Sequence, residues 1–296
     1  MTQDTRIGLI GAGQMGHGIA TNILKAGYPL TYLERSGNKS TRTLQDAGAT
    51  PVATGQAVAT VSDVIIVCVT GAPEVEDVLM RPDGVIAGLH TGTTVIDCST
   101  SIPSVTCRLA EQVIAAGGHF LDAPMTRTPK EAAEGRLNLI VGGDAELFQA
   151  HLPLLRCFAE NIVHAGAIGA GHTMKLLHNF VSLGFSAVLA ETAAASARAG
   201  IDPAVLHEVL SKGGGNGVIL DRITPYLLEG DTGAFRFTIG NCAKDLGYYT
   251  AMTETLGAAD GVASAVKATY VKQSDAGFAD RTVPELIALL GDKAAN

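Results

Sequence analysis

Three side chains able to move or hold a proton fall at one spacing. Lys175, His178 and Asn179 stand at i, i+3 and i+4 of a stretch patterned as a helix, so they share one face. That stretch, His172 to Arg198, has no proline and an almost continuous series of Leu, Val, Phe and Ala. A lysine at the start of so apolar a helix loses solvation in its charged form, and the same loss lowers its pKa toward a value suited to proton transfer. His178 can donate one hydrogen bond and can also titrate, Asn179 offers an amide, and Ser182 lies one turn further on.

A different chemistry is written near the N-terminus. The apolar run Ile7-Gly8-Leu9-Ile10 is followed by Gly11-Ala12-Gly13-Gln14-Met15-Gly16 and a helical stretch ending at Gly27. Gly11 permits a tight turn, Gly13 lets the backbone approach a pyrophosphate, and Gly16 lets helix and strand pack closely. The amides of Gln14 and Met15, at the helix N-terminus, then face the phosphates. A second apolar run, Pro29 to Leu33, ends at Glu34, within the distance at which an acidic residue meets an adenosine ribose. Glu34 could accept from ribose hydroxyls, whereas Arg35, Ser36 and Lys39 could hold a 2′-phosphate, and the clustered basic pair leans the cofactor toward NADP over NAD. Val69 and Thr70, closing the run Val64 to Val69, join the cofactor set.

The elements that must position these groups follow from pattern. Up to about residue 165, short β-branched runs alternate with Ala-rich helical stretches, the βα rhythm of a doubly wound sheet. Val64 to Val69 reads as a central parallel strand, with Thr93 to Asp97 and Leu137 to Val141 similar but shorter. The predicted architecture is α/β: a Rossmann-type domain at 1–165, a long interdomain helix at 166–200 and an all-α domain at 201–296. In the last, helices are predicted near 203–211, 217–228, 239–257, 260–275 and 282–292. Gly200-Ile201-Asp202-Pro203 is a break-and-restart signal, and Gly213 to Gly217 is a loop, because no strand precedes it.

The composition, 47% hydrophobic and 17% charged over 296 residues, is that of a globular protein with a sizeable core. A net charge of -8 disfavours a phosphate-tracking nucleic-acid binder. Apolar runs broken by Gly, Ser or charge, and an N-terminus without signal-peptide order, disfavour a membrane and make the cytoplasm the default expectation. The five cysteines, 68, 98, 107, 157 and 242, have no metal-site spacing and read as small buried hydrophobes, with no metal implied.

Four segments together resemble the β-hydroxyacid dehydrogenase family, relatives of 3-hydroxyisobutyrate dehydrogenase and tartronate semialdehyde reductase, nearly end to end. The first is the glycine turn with Ala20, Asn22 and Gly27. The second, Asp97-Cys98-Ser99-Thr100-Ser101-Ile102-Pro103, is similar to the family's Asp-x-Ser-Thr-x-x-Pro, and the resemblance puts Ser99 and Thr100 near the nicotinamide. In the third, Asp122-Ala123-Pro124-Met125-Thr126-Arg127-Thr128-Pro129, the family usually reads Ser-Gly-Gly where Thr126, Arg127 and Thr128 stand, and these grip the substrate carboxylate. Sulfolactaldehyde reductases of the family resemble this Arg-Thr pair, which implies an anion fork for a sulfonate. The fourth, Gly169 to Asn179, resembles Gly-x-Gly-x-x-x-Lys-x-x-Asn-Asn, with His178 in place of the first asparagine. It implies Lys175 as acid/base, assisted by Asn179 and Thr126, and His178, Asn179 and Ser182 as substrate contacts. Lys244-Asp245-Leu246 is similar to a family triplet that places Lys244 near the nicotinamide. The implied activity is NAD(P)-dependent hydride transfer at the 3-position of a small anionic 3-hydroxy acid or semialdehyde, in a homodimer or homotetramer. A cofactor-binding module without activity, an imine reductase-like enzyme and a decarboxylating phosphosugar dehydrogenase are the alternatives.

Overall fold

The structure, a computed structural model, describes residues 4–35 and 41–292, and the chain divides into two compact units, Met1–Lys175 and Leu176–Asn296. In the first unit the strands are β1 (Ile7–Ile10), β2 (Leu30–Leu33), β3 (Thr50–Val52), β4 (Val64–Val67), β5 (Thr94–Asp97), β6 (His119–Asp122), β7 (Met125–Thr126), β8 (Leu137–Gly142) and β9 (Ala159–Gly166). Its helices are α1 (Gln14–Lys25), α2 (Arg42–Asp46), α3 (Gly55–Thr60), α4 (Ala72–Met80), α5 (Val85–Gly88), α6 (Pro103–Ala115), α7 (Pro129–Glu134) and α8 (Ala145–Leu155). Helix α9 (Ala170–Arg198) begins in the first unit and continues into the second, which adds α10 (Pro203–Ser211), α11 (Val218–Glu229), α12 (Ile239–Leu256), α13 (Gly261–Gln273) and α14 (Leu286–Gly291).

The sheet runs β3-β2-β1-β4-β5-β6-β8-β7, with β9 on β8, and is parallel from β3 to β6. This is a doubly wound order whose direction reverses between β1 and β4, so the loops after those two strands border the crevice where such sheets take ligands. The apolar runs are explained by burial on both faces. Ile7, Leu9, Val64, Ile66 and Ile96 enter one core, while Ile10, Ile65, Val67 and Val95 enter the other. Burying each such side chain contributes about 1.5–3 kcal/mol.

One strand departs from expectation. Leu137 to Val141 looks like the parallel strands, yet β8 runs antiparallel to β6 and β7 and parallel to β9. Alternation and apolarity report burial, not direction. The chain from β6 returns through β7 and the short α7 instead of through a full crossover helix, and that sets the reversal. The second unit has its own core around Leu183, Leu220, Ile239, Leu246 and Tyr270, whose phenol donates to the Leu183 carbonyl at 3.0 Å. Among the described residues α9 is the one helix long and apolar enough to cross a membrane, but Leu176, Leu183, Ala187, Leu189 and Ala190 along it are buried in protein.

Candidate active site

The glycine turn has the shape its sequence implies. Gly11 has φ +102°, and a Cβ there would lie 2.1 Å from the Cys68 carbonyl; one on Gly16 would lie 1.9 Å from the Gly11 carbonyl. At Gly13 an added Cβ would meet nothing within 4 Å, so that backbone faces open space. Gly13 also caps α1 without a side-chain hydrogen bond, which leaves the first-turn amides of Gln14 and Met15 as donors for an anion. A dinucleotide pyrophosphate fits this cradle of bare backbone. At the end of β2, Glu34 Oε1 accepts from Thr41 Oγ1 (3.0 Å), Gln45 Nε2 (3.2 Å) and Tyr32 Oη (3.4 Å). Oε2 takes none of these bonds. The neighbouring Arg35 pairs with Asp77 at 3.5 Å. Ser36 and Lys39 lie outside the described residues.

At the far side of the β1/β4 crevice Ser99 is clamped at three atoms. Its amide donates to Asp97 Oδ1 (2.9 Å), its hydroxyl accepts from the Val69 amide (3.0 Å), and its carbonyl accepts from His172 Nε2 (3.2 Å). His172 belongs to the first turn of α9, and Asp122, at the end of β6, binds that turn. Asp122 Oδ1 accepts from the Gly169 amide and Oδ2 from the His172 amide, both at 2.8 Å. The His172 ring stands 3.6 Å from Asp122 Oδ2 and 3.9 Å from Asp97 Oδ2, and all three side chains are buried. Burial pushes the Asp97 carboxyl above its ordinary value, opposed by His172 and by the Ser99 amide. Burial, reinforced by Asp97, pushes the Cys68 thiol up to about 12.

Thr126 sits on β7 at the end of a directed relay: Asn161 Nδ2 donates to Asn138 Oδ1 (2.9 Å), and Asn138 Nδ2 donates to Thr126 Oγ1 (3.0 Å). Holding Thr126 as an acceptor leaves its own hydroxyl proton to donate elsewhere. The next two side chains are committed within the first unit. Arg127 has φ +81°, the left-handed backbone a glycine would take, and its Nη1 reaches Glu160 Oε2 at 2.5 Å and the Arg136 carbonyl. Arg127 in turn holds the Glu160 carboxyl below its ordinary value, through the side-chain bond first and charge second. Thr128 is the N-cap of α7 in a reciprocal box with Glu131.

Lys175 is half-buried, one turn beyond His172; of its neighbours Leu176 is buried, while Met174 and Leu177 are exposed. In the second unit, Asn179 Nδ2 donates to Asp245 Oδ2 at 2.7 Å, so the Asn179 oxygen is the atom that meets His178 Nδ1 at 3.0 Å. That assigns the proton to Nδ1 in neutral His178. Lys244 Nζ lies 3.1 Å from Asp245 Oδ1 and 5.3 Å from the Tyr248 ring centroid. Ser182 is half-buried on α9. Thr100 follows Ser99 before α6. Among the described residues no group of three His, Cys, Asp or Glu side chains could hold a metal ion.

Sequence reasoning missed the partners more than the residues. Asn138 and Asn161 carry no signal of their own, and although Asp122 and His172 fall within the quoted motifs, nothing local names their partners, which lie far away in the chain.

A doubly wound sheet with an anion cradle at its reversal point defines a dinucleotide-binding protein. Residues 6–166 match the family described as the NAD-binding domain of 6-phosphogluconate dehydrogenase, and residues 169–290 match NAD-binding of NADP-dependent 3-hydroxyisobutyrate dehydrogenase. The chain is 34% identical to the 3-sulfolactaldehyde reductase of Escherichia coli (strain K12), over 81% of this chain and 80% of that protein. It is 33% identical to a 3-hydroxyisobutyrate dehydrogenase of Pseudomonas aeruginosa, over 82% and 83%. The crystal structure of a 3-hydroxyisobutyrate dehydrogenase from Salmonella typhimurium superimposes with a TM-score of 0.84 at 26% identity, covering 97% of this chain and 100% of that one. The chain belongs to the β-hydroxyacid dehydrogenase family and is an NAD(P)-dependent oxidoreductase acting on the CH–OH group of 3-hydroxy acids.

Proposed function

We propose that the protein interconverts a small anionic 3-hydroxy acid and its semialdehyde, with Lys175 as the acid/base. The observation that supports this reading is the hydrogen bond from His172, in the first turn of α9, to the carbonyl of Ser99, with Lys175 following His172 by one helical turn. When bound, the nicotinamide supplies or accepts the hydride. Lys175 protonates the nascent alkoxide during reduction and takes the hydroxyl proton during oxidation, while Asn179 and His178 orient the reacting oxygen. Thr126 donates its hydroxyl proton to the substrate's anionic group, and Ser182 adds a second hydroxyl. Lys244 completes the cofactor set of Gly11, Gly13, Gln14, Met15, Gly16, Glu34, Val69, Thr70, Ser99 and Thr100.

Arg127 supplies a positive field to the anion, and reaching it directly requires displacing Glu160. The Thr128 hydroxyl is spent on its helix cap, which leaves the backbone as its contribution. For the cofactor, the sequence leans towards NADP through Arg35, Ser36 and Lys39, whereas Glu34 presents a fixed carboxylate oxygen to ribose hydroxyls and Arg35 pairs with Asp77, which favours NAD. The exposed Val181, Val188, Val205 and Val209 accord with a homo-oligomer.

The test is the initial rate of reduced-nicotinamide consumption with 3-sulfolactaldehyde, methylmalonate semialdehyde and tartronate semialdehyde, each with NADH and NADPH. Lys175→Ala should lower turnover by about 10²–10⁴ with cofactor binding retained. Unchanged turnover in that variant refutes the acid/base assignment, and a preference for NADPH refutes the reading of Glu34.

A further inference from the structure

Glu34 is an exposed side chain that is nonetheless pinned. Three donors converge on its Oε1: Thr41 Oγ1 at 3.0 Å, Gln45 Nε2 at 3.2 Å and Tyr32 Oη at 3.4 Å. An ionised carboxylate only accepts, so the direction of all three bonds is forced. The second proton of the Gln45 amide goes to Tyr32 Oη at 2.9 Å, which closes a ring of bonds among Tyr32, Gln45 and Glu34. Thr41 is the N-cap of α2, where a threonine hydroxyl ordinarily accepts from the helix amides, yet it makes no such bond and its proton goes to Glu34. Tyr32 is fully buried, and its phenol finds its hydrogen-bond partners in Glu34 and Gln45. The Glu34 amide donates to the Val52 carbonyl of β3 at 2.9 Å, so the backbone is held as well.

We infer that Tyr32, Thr41 and Gln45 are positioning residues that turn Glu34 from a ribose contact into a barrier against a 2′-phosphate. Oε2, which takes none of these bonds, is left to accept from ribose hydroxyls. A 2′-phosphate brings like charge in place of a hydroxyl proton. An unrestrained glutamate would swing aside and admit it, because a long exposed side chain changes rotamer freely. Here swinging aside breaks three hydrogen bonds and takes the acceptor from the buried Tyr32 phenol. The carboxylate therefore stays in place and repels, a specificity obtained through a repulsive element. Arg35 is the weaker selector, since its 3.5 Å pair with Asp77 joins two exposed side chains and contributes little. This role rests on the reading that Glu34 meets the adenosine ribose.

Calorimetric titration of the full chain with NADH and with NADPH tests this role without any substrate. The readout is the ratio of the two dissociation constants, which a general loosening of the fold does not move. In the wild type NADPH should bind about tenfold or more weakly than NADH. Gln45→Leu, Thr41→Val and Tyr32→Phe keep the size of each side chain and remove its donor. Each should lower the ratio about threefold to tenfold, with NADPH gaining on NADH. Thr41→Ser, which keeps the hydroxyl, should keep the wild-type ratio. An unchanged ratio in all three donor-less variants, alongside a fall in Glu34→Gln, overturns the positioning role and leaves Glu34 as the ribose contact. An unchanged ratio in Glu34→Gln, or a wild type that binds NADPH as tightly as NADH, overturns the reading of Glu34 and the positioning role with it.

Discussion

Replacing Asp122 by alanine removes both acceptors that fix the start of α9. The carboxylate takes two backbone amides, Gly169 and His172, at 2.8 Å each, in a fully buried place. A hydrogen bond to a charged group contributes about 1.5–3 kcal/mol, so losing the pair costs about 3–6 kcal/mol and strands two buried N–H groups. For a unit of this size that is a fall in Tm of roughly 6–24 °C. Asp122→Asn keeps one acceptor and turns an NH2 group toward the other amide, so its cost should be about half, near 2–3 kcal/mol. The assay is urea denaturation of wild type and both variants, combined with hydrogen exchange at the two amides. Both amides should lose protection in Asp122→Ala and one in Asp122→Asn. A loss below about 1 kcal/mol in the alanine variant, with both amides still protected, would refute the claim that this carboxylate secures the helix.

The two glycines of the cradle should separate folding from binding. Gly13→Ala, with nothing within 4 Å of its added Cβ, should leave Tm unchanged but weaken binding of the nicotinamide cofactor at least about tenfold in calorimetric titration; Gly16→Ala, 1.9 Å from the Gly11 carbonyl, should lower both, with overpacking costing about 1–3 kcal/mol. Thr128→Ala opens the capping box at α7 and should cost about 1 kcal/mol in a thermal melt, and an unchanged Tm would mean that the box contributes nothing. Under thiol labelling near pH 8, followed by mass spectrometry, the exposed Cys107 should react first. Cys98 and Cys242, buried and with thiols pushed well up, should react only on unfolding, and early labelling of either would contradict their burial.

The parts of this site that were legible in the sequence are those set by local rules. Gly11 and Gly16 announce the turn because a Cβ at either would collide with backbone, and Gly13 because its bare backbone faces open space. The helices of the second unit follow from periodicity and from caps such as Asp202 with Pro203, observed at the start of α10. Direction and partnership were not legible. Nothing in Leu137 to Val141 states that β8 reverses, and nothing near Arg127 points to Glu160, 33 residues away. The same holds for His172, whose carboxylate partners lie far back in the chain, and for Glu34, two of whose three donors, Thr41 and Gln45, come from beyond β2. Pairings of this kind depend on the assembled sheet, which brings strand ends together irrespective of their separation in sequence.

Arg127 bears on how such a site could diversify. A non-glycine residue in left-handed backbone carries a strain of about 1–2 kcal/mol, whereas a partly exposed ion pair such as Arg127–Glu160 returns about 0–1 kcal/mol. Glycine at this position would lose the pair and release the strain, so the exchange is close to neutral for folding. A residue beside the proposed anion subsite, whose exchange for glycine hardly touches the stability threshold, can change under selection for a new substrate. Position 127 is therefore where a library made for altered specificity should begin, with glycine as the exchange closest to neutral for folding.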